Sequence, residues 1–135
     1  VKLIHVPPAF VDQAWRDGAS MLAEACKWAE DEITASQLKM LLARGERNLI
    51  GLEVDGTYPA WAAVQVQQLP NIRVLYVYGM AAKDNTGPAM FRLLGDVARA
   101  EGCSSIRGAC RDELIRGMER KFGVKRLYTT FEARV

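Results

Sequence analysis

The chain has 135 residues, half of them hydrophobic, and a formal net charge of +2, which fits one domain spanning residues 1–135 that can bury about two thirds of the surface exposed by its unfolded form. A single histidine, His5, and three cysteines, Cys26, Cys103 and Cys110, without Cys-x-x-Cys spacing, give no zinc site and no disulfide framework. No apolar run approaches the roughly 20 residues needed to cross a bilayer, and the first residues lack the basic-then-apolar order of a signal peptide, so the expectation is a soluble protein of the cytoplasm.

Lys2 to Val6 is an apolar run that Pro7-Pro8 must stop, which predicts a first strand. Val11, Ala14, Trp15, Leu22, Ala25 and Cys26 then recur at helical spacing, with Gly18 as a bend and with Trp15 and Trp28 expected in the core. Thr34-x-x-Gln37 has the form of a capping box, so a second helix begins there, carries Leu38, Leu41 and Leu42 inward, and ends at Gly45. Ile50, Leu52 and Val54 alternate, Asp55-Gly56 offers a tight turn, and alternation resumes from Tyr58 to Gln67: a hairpin. Pro70-Asn71 turns the chain into a third strand, Ile72 to Tyr78.

That strand empties through Lys83-Asp84-Asn85-Thr86-Gly87-Pro88 into a helix bearing Phe91, Leu94, Val97 and Ala98, which Gly102 ends. The first N–H groups of a helix have no intrahelical partner, so such a junction suits an anion such as phosphate. Cys103 to Ala109 reads as a short strand parallel to the one before the helix, because a right-handed crossover joins them. A last helix carries Leu114, Ile115, Met118 and Phe122 and closes at Gly123; Leu127, Thr129, Phe131 and Ala133 alternate as a final strand. The core is expected to include Leu52, Val64, Val74, Val77, Leu94, Ile106, Leu114 and Met118.

Charge is unevenly laid out. Acids dominate from Phe10 to Glu32, and bases from Arg99 to Arg126, among them Arg107, Arg111, Arg116 and Arg120. The basic residues alternate with acids and lack stacking aromatics, so they describe a solvated helix face better than a nucleic-acid surface. His5 stands near the chain start with no partner residue assigned by spacing, and a structural role is expected of it.

The order β-α-α-β-β-β-α-β-α-β resembles the GNAT N-acetyltransferase fold over nearly the whole chain, which implies an α/β domain with a mixed, largely antiparallel sheet flanked by helices. In that family a strand-to-helix loop of pattern Arg/Gln-x-x-Gly-x-Gly/Ala binds the pyrophosphate of acetyl-CoA, and Asp84-Asn85-Thr86-Gly87-Pro88-Ala89 falls on it. The resemblance therefore places the coenzyme against Asn85, Thr86, Gly87 and Ala89, with Gly79 and Met80 lending backbone groups from a splayed central strand. Asp84 stands where the family has a cation or an amide, and Pro88 lacks a donor. The family's second motif, Tyr-x-x-x-Gly-Phe, aligns Glu119 with the tyrosine that protonates the departing thiolate, and a carboxylate would repel that sulfur instead.

Two phrases, Leu3-Ile4-His5-Val6-Pro7-Pro8 and Gln37 to Arg47, also resemble small acetyltransferase-like proteins of tailed bacteriophages, some of them virion components. Together these resemblances imply a fold kept while its acetyl-CoA and catalytic motifs erode, in a virion-associated or protein-interaction component of the host cytoplasm or the virion. Such a component would have a protein partner, with self-association as a variant of it, no metal and no membrane. The alternative they imply is an active acetyl-CoA-dependent N-acetyltransferase.

Overall fold

Alternating apolar residues and short turns build one five-stranded sheet in the order β1-β2-β3-β4-β5. The computed structural model describes residues 1–135. Strand β1 (Lys2–Val6) pairs antiparallel with β2 (Asn48–Val54), which pairs antiparallel with β3 (Thr57–Gln68). Asp55 and Gly56, at φ 49° and 78°, make the tight turn of that hairpin. A second turn, closed by the Leu69 N–H donating to the Ile72 carbonyl at 2.8 Å, leads into β4 (Arg73–Ala82), antiparallel to β3. The four-residue β5 (Ser105–Gly108) lies parallel to β4.

Helices cover both faces, and the alternation of the strands divides the apolar residues between them. On one face α1 (Val11–Arg16), α2 (Ala23–Cys26) and α3 (Ala35–Ala43) enclose a core containing Val11, Leu22, Leu38, Leu42, Leu49 and Trp61. On the other, α4 (Gly87–Ala100) lays Met90, Leu94 and Ala98 on Leu52, Ala62, Val64 and Leu75. These three positions repeat every fourth residue, the spacing that keeps side chains on one helical face. Phe91 points off this stripe and stacks on Phe122 of α5 (Asp112–Phe122), with ring centroids 4.6 Å apart.

The capping box at α3 forms as expected: the Gln37 N–H donates to the Thr34 hydroxyl at 3.2 Å, and the Thr34 N–H donates to the Gln37 side-chain oxygen at 2.9 Å. Gly45, Gly102 and Gly123 all take positive φ where their helices stop. Where one bent helix was expected from Val11 to Cys26, Gly18 at φ 132° breaks it into α1, a 3-10 turn over Ala19–Leu22, and α2. Trp28 is 59% exposed rather than in the core, because α2 ends two residues before it.

The C-terminal expectations change most. Residues 123–135 form no strand, so the final strand expected around Leu127 to Ala133 is absent. With nothing added beyond β5, α5 has no second layer to cover it: Leu114 is 52% exposed and Met118 only half-buried, although both were expected in the core. Val77 and Ile106 are likewise half-buried, Ile106 on the edge strand β5 and Val77 at the last pair that β4 makes with it. Leu52, Val64, Val74 and Leu94 are buried as expected.

Trp61, 1% exposed, lies across the neighbouring Gly51 of β2. A Cβ added at Gly51 would come within 2.7 Å of a carbon of the indole ring, too close for two non-bonded carbon atoms. Gly51→Ala is therefore expected to destabilise the fold by about 1–3 kcal/mol, as overpacking of a dense core does. Gly117→Ala, in α5 where an added Cβ meets nothing, should instead raise stability by up to about 1 kcal/mol through helix propensity. Urea unfolding of the two variants checks the opposite signs; equal shifts would show that the Gly51–Trp61 contact sets no limit.

Candidate functional site

Strands β4 and β5 run side by side only from Val74 paired with Ser105 to Val77 paired with Gly108, after which β5 stops and β4 continues to Ala82. Beyond Val77 the edge of β4 that faced β5 has no strand beside it. The parting coincides with a bulge: Val64 pairs with Val77 and Ala63 with Gly79, which leaves Tyr78 as the extra residue. Bulges bend a strand and re-aim a side chain, and they recur beside functional sites. Gly79 lets α2 approach here, since a Cβ on it would stand 3.3 Å from that of Ala25. Met80 points the other way, into the core under α4.

The chain then turns tightly into α4. Asp84 and Asn85 both have φ 57°, and the Thr86 N–H donates to the Lys83 carbonyl at 3.2 Å, so residues 83–86 form a turn with two left-handed central residues. Asp and Asn tolerate that conformation better than other non-glycine residues, which gives Asp84 a conformational reason to be where it is. The Thr86 hydroxyl donates to the Lys83 carbonyl at 2.6 Å, and no side chain caps the helix. The first intrahelical bond comes from the Met90 N–H to the Thr86 carbonyl. The N–H groups of Gly87 and Ala89 are thus available, and Pro88, which fits a first helical turn, contributes none. An added Cβ at Gly87 would lie 3.8 Å from that of Ala82, so these donors sit beside the end of β4.

On the face covered by α1 to α3, the parting is edged by polar groups. Tyr76 and Tyr78 lie with ring centroids 4.8 Å apart. The Tyr78 hydroxyl accepts from the Gln67 amide at 3.0 Å and donates to Gln65 at 3.4 Å, and the Arg47 guanidinium lies 3.6 Å over the Tyr78 ring. Burial raises the Tyr76 hydroxyl above the usual phenol range, with Tyr128, Tyr78 and Glu32 adding to the rise and Arg47 opposing it. Burial also raises the Cys26 thiol, again with Arg47 opposing. Arg111, just past β5, covers the Trp28 ring at 3.9 Å, a cation–π contact that bridges the α2 side and the β5 side of the gap.

Of the residues expected at a site, Gly79 and Met80 lie on the free stretch of β4, and Asn85, Thr86, Gly87 and Ala89 lie at the start of α4, beside Ala82 at the strand's end. Glu119 is not among them. It lies on the open face of α5, shares a shallow depression with Glu113, Arg116 and Arg120, and accepts from Arg126 at 3.4 Å. Arg126 also donates to Asp112 at 2.9 Å, so the basic C-terminal segment is partly neutralised by its own acids. His5, exposed on β1, lies 3.4 Å from the Asn48 side chain and takes no part. No group of three His, Cys, Asp or Glu side chains is placed to hold a metal ion, and no helix is long and apolar enough to cross a membrane.

Sequence reasoning missed Tyr76, Tyr78, Arg47 and Glu32. A signal was present: Gln65 and Gln67 on β3 and Tyr76 and Tyr78 on β4 put polar tips on alternate positions of adjacent strands, on the face that is otherwise apolar.

No protein-family model and no curated protein matches this sequence. Solved structures do. The chain superposes on a ribosomal-protein-alanine N-acetyltransferase from Brucella melitensis biovar Abortus 2308 with a TM-score of 0.70 at 15% identity, over 100% of both chains. An aminoglycoside acetyltransferase from an uncultured soil metagenomic sample gives 0.69 at 11% identity, over 99% of this chain and 95% of that one. Glucosamine-6-phosphate N-acetyltransferase from Arabidopsis thaliana gives 0.65 at 14%, over 98% and 97%. The chain has the GNAT fold, a mostly antiparallel five-stranded sheet flanked by helices, and at these identities the likeness is one of fold.

The raised Cys26 and Tyr76 groups hold their protons more tightly folded than unfolded. Their contribution to stability is complete below the ordinary thiol and phenol values of 9.0 and 10.0, and is lost as pH rises through them towards the higher folded values. Urea midpoints should therefore fall on the alkaline side, and Tyr76→Phe should flatten the part of that fall above pH 10.0. An unchanged alkaline slope in the variant would mean that Tyr76 ionises freely.

Proposed function

We propose that the protein is an N-acyltransferase of the GNAT type that takes acetyl-CoA as donor and binds it weakly. The observation that carries this reading is the succession, along one free stretch of β4, of the β4–β5 parting, the Tyr78 bulge and, beside the strand's end at Ala82, an α4 start with unpartnered N–H groups. The coenzyme fits these residues because they offer it backbone rather than side chains: Gly87 and Ala89 N–H groups for the pyrophosphate, flanked by Asn85 and Thr86, and the free edge of β4 at Gly79 and Met80 for the extended arm. When bound, acetyl-CoA supplies an acyl group already activated as a thioester.

Erosion enters through Asp84 and Pro88. One carboxylate beside a phosphate about 4 Å away costs roughly 1 kcal/mol in water, about fivefold in affinity. Glu119 is too far round α5 to serve the departing sulfur. The Tyr78 hydroxyl is already spent on Gln65, whereas the Tyr76 hydroxyl on the same strand makes no hydrogen bond and can return a proton, and we assign it that task. General-acid assistance typically contributes about 10²–10⁴-fold, so Tyr76→Phe should lower kcat on that scale while leaving acetyl-CoA affinity unchanged.

Calorimetry with acetyl-CoA decides the donor. Asp84→Asn keeps a residue suited to φ 57° and removes the charge, so it should tighten binding about fivefold, whereas Asp84→Arg would add strain. Gly87→Val should weaken it. Absence of heat with the unmodified chain and with Asp84→Asn alike would remove the enzyme reading.

A second reading, a protein-interaction or virion-associated component, draws support from the exposed C-terminal residues Leu114 at 52%, Leu127 at 48% and Phe131 at 91%. A single stoichiometric partner recovered from the native setting, together with no acetyl-CoA binding, would put this reading first.

A further inference from the structure

Between the α2–α3 linker, α3 and β4 lies a groove of about 380 Å³, near the lower end of the roughly 300–1,000 Å³ usual for small-molecule sites. Its lining is mostly apolar, Ile33 and Leu41 included, and carries two charges, Glu32 and Arg47. Neither takes part in any of the chain's ion pairs, and they do not pair with each other.

The two charges come from different segments of the chain, Glu32 from the α2–α3 linker and Arg47 from the loop between α3 and β2. The Arg47 guanidinium is stacked 3.6 Å over the Tyr78 ring, and that ring is fixed in turn by Gln65 and Gln67. Glu32 sits in the linker, where its N–H donates to the Ala29 carbonyl at 2.9 Å. A guanidinium stacked by its face keeps its N–H edge free, and that edge matches a carboxylate with two parallel hydrogen bonds. The unpaired Glu32 carboxylate on the lining of the same groove matches an ammonium group. Tyr78 belongs both to this groove and to the bulge where β4 leaves β5, so an amine held here stands beside the parting.

We infer that this groove is an acceptor site for a small zwitterionic amine, an amino acid with an apolar body, whose carboxylate binds Arg47 and whose ammonium binds Glu32. Ile33 and Leu41 receive the apolar side chain. The inference takes its purpose from the acyl-transfer reading, but the recognition chemistry stands on the groove alone.

The test is calorimetric titration of the intact chain, without coenzyme, using leucine, methionine and phenylalanine as probes, beside leucinamide, which lacks the carboxylate, and 4-methylpentanoate, which lacks the amine. At least one amino acid should bind; loss of the carboxylate, which meets the half-buried Arg47, should weaken binding by about tenfold, and loss of the amine, which meets the exposed Glu32, by about two- to fivefold. Arg47→Met should abolish the preference for leucine over leucinamide, and the exposed Glu32→Gln should abolish the preference for leucine over 4-methylpentanoate. If none of the three amino acids binds, or if both controls bind as tightly as leucine, the inference falls. Acetyl-CoA titrated into the same sample separates the two claims, since amino-acid binding without coenzyme binding sinks the transfer reading and leaves the groove assignment standing.

Discussion

The contact between Trp61 and two glycines sets the geometry on which the rest depends. The six-membered ring of the indole lies over Gly51 on the neighbouring strand, and a Cβ at Gly18 would stand 3.3 Å from the indole nitrogen. Any side chain at either position would push the helical layer off the sheet or the ring off β2. Because Gly18 is also where the first helix breaks, the same plate fixes where α2 begins, and α2 in turn rests against Gly79 at the bulge. A close-packed interior transmits such displacements rather than absorbing them. The distance between α2 and the free edge of β4, and with it the width of any site there, is thus inherited from a residue in the middle of β3.

Much of the fold was legible because its signals are local. The capping box at Thr34, the Asp55-Gly56 turn and the helix-ending glycines each satisfy backbone groups within a few residues, so spacing alone identifies them. The C-terminal strand shows the opposite case. Leu127, Thr129, Phe131 and Ala133 alternate as a strand should, yet a strand exists only if an edge receives it, and alternation carries no information about that. The stripe on α5 is similar: Leu114 and Met118 mark its apolar side correctly, while burial depends on a second layer that the rest of the chain does not supply. Gly18 was read as a bend because periodicity continues across it, although a φ of 132° cannot lie within a helix.

The candidate site was half legible for a related reason. The residues at the start of α4 are recognisable because a strand-turn-helix junction needs particular residue types. The Tyr76–Tyr78–Arg47–Glu32 group spans three elements, and its members meet only through the cross-strand register and the return of the linker over the sheet. Asp84 shows how one residue answers to two demands. Its charge would oppose a phosphate, while aspartate is among the few residue types that suit the backbone of the turn. Backbone donors at the start of a helix persist whatever side chains stand beside them.

The three tryptophans occupy three different environments, which makes the protein a reporter on itself. Trp61 is fully enclosed, its indole N–H without a hydrogen-bond partner, so its emission belongs to the dry interior and follows the integrity of the core. Trp15 is half-buried in α1 and senses the helical layer. Trp28 stands in solvent under the Arg111 guanidinium at the gap between β4 and β5. A ligand that disturbs this cation would be registered by the indole as a change of colour and intensity.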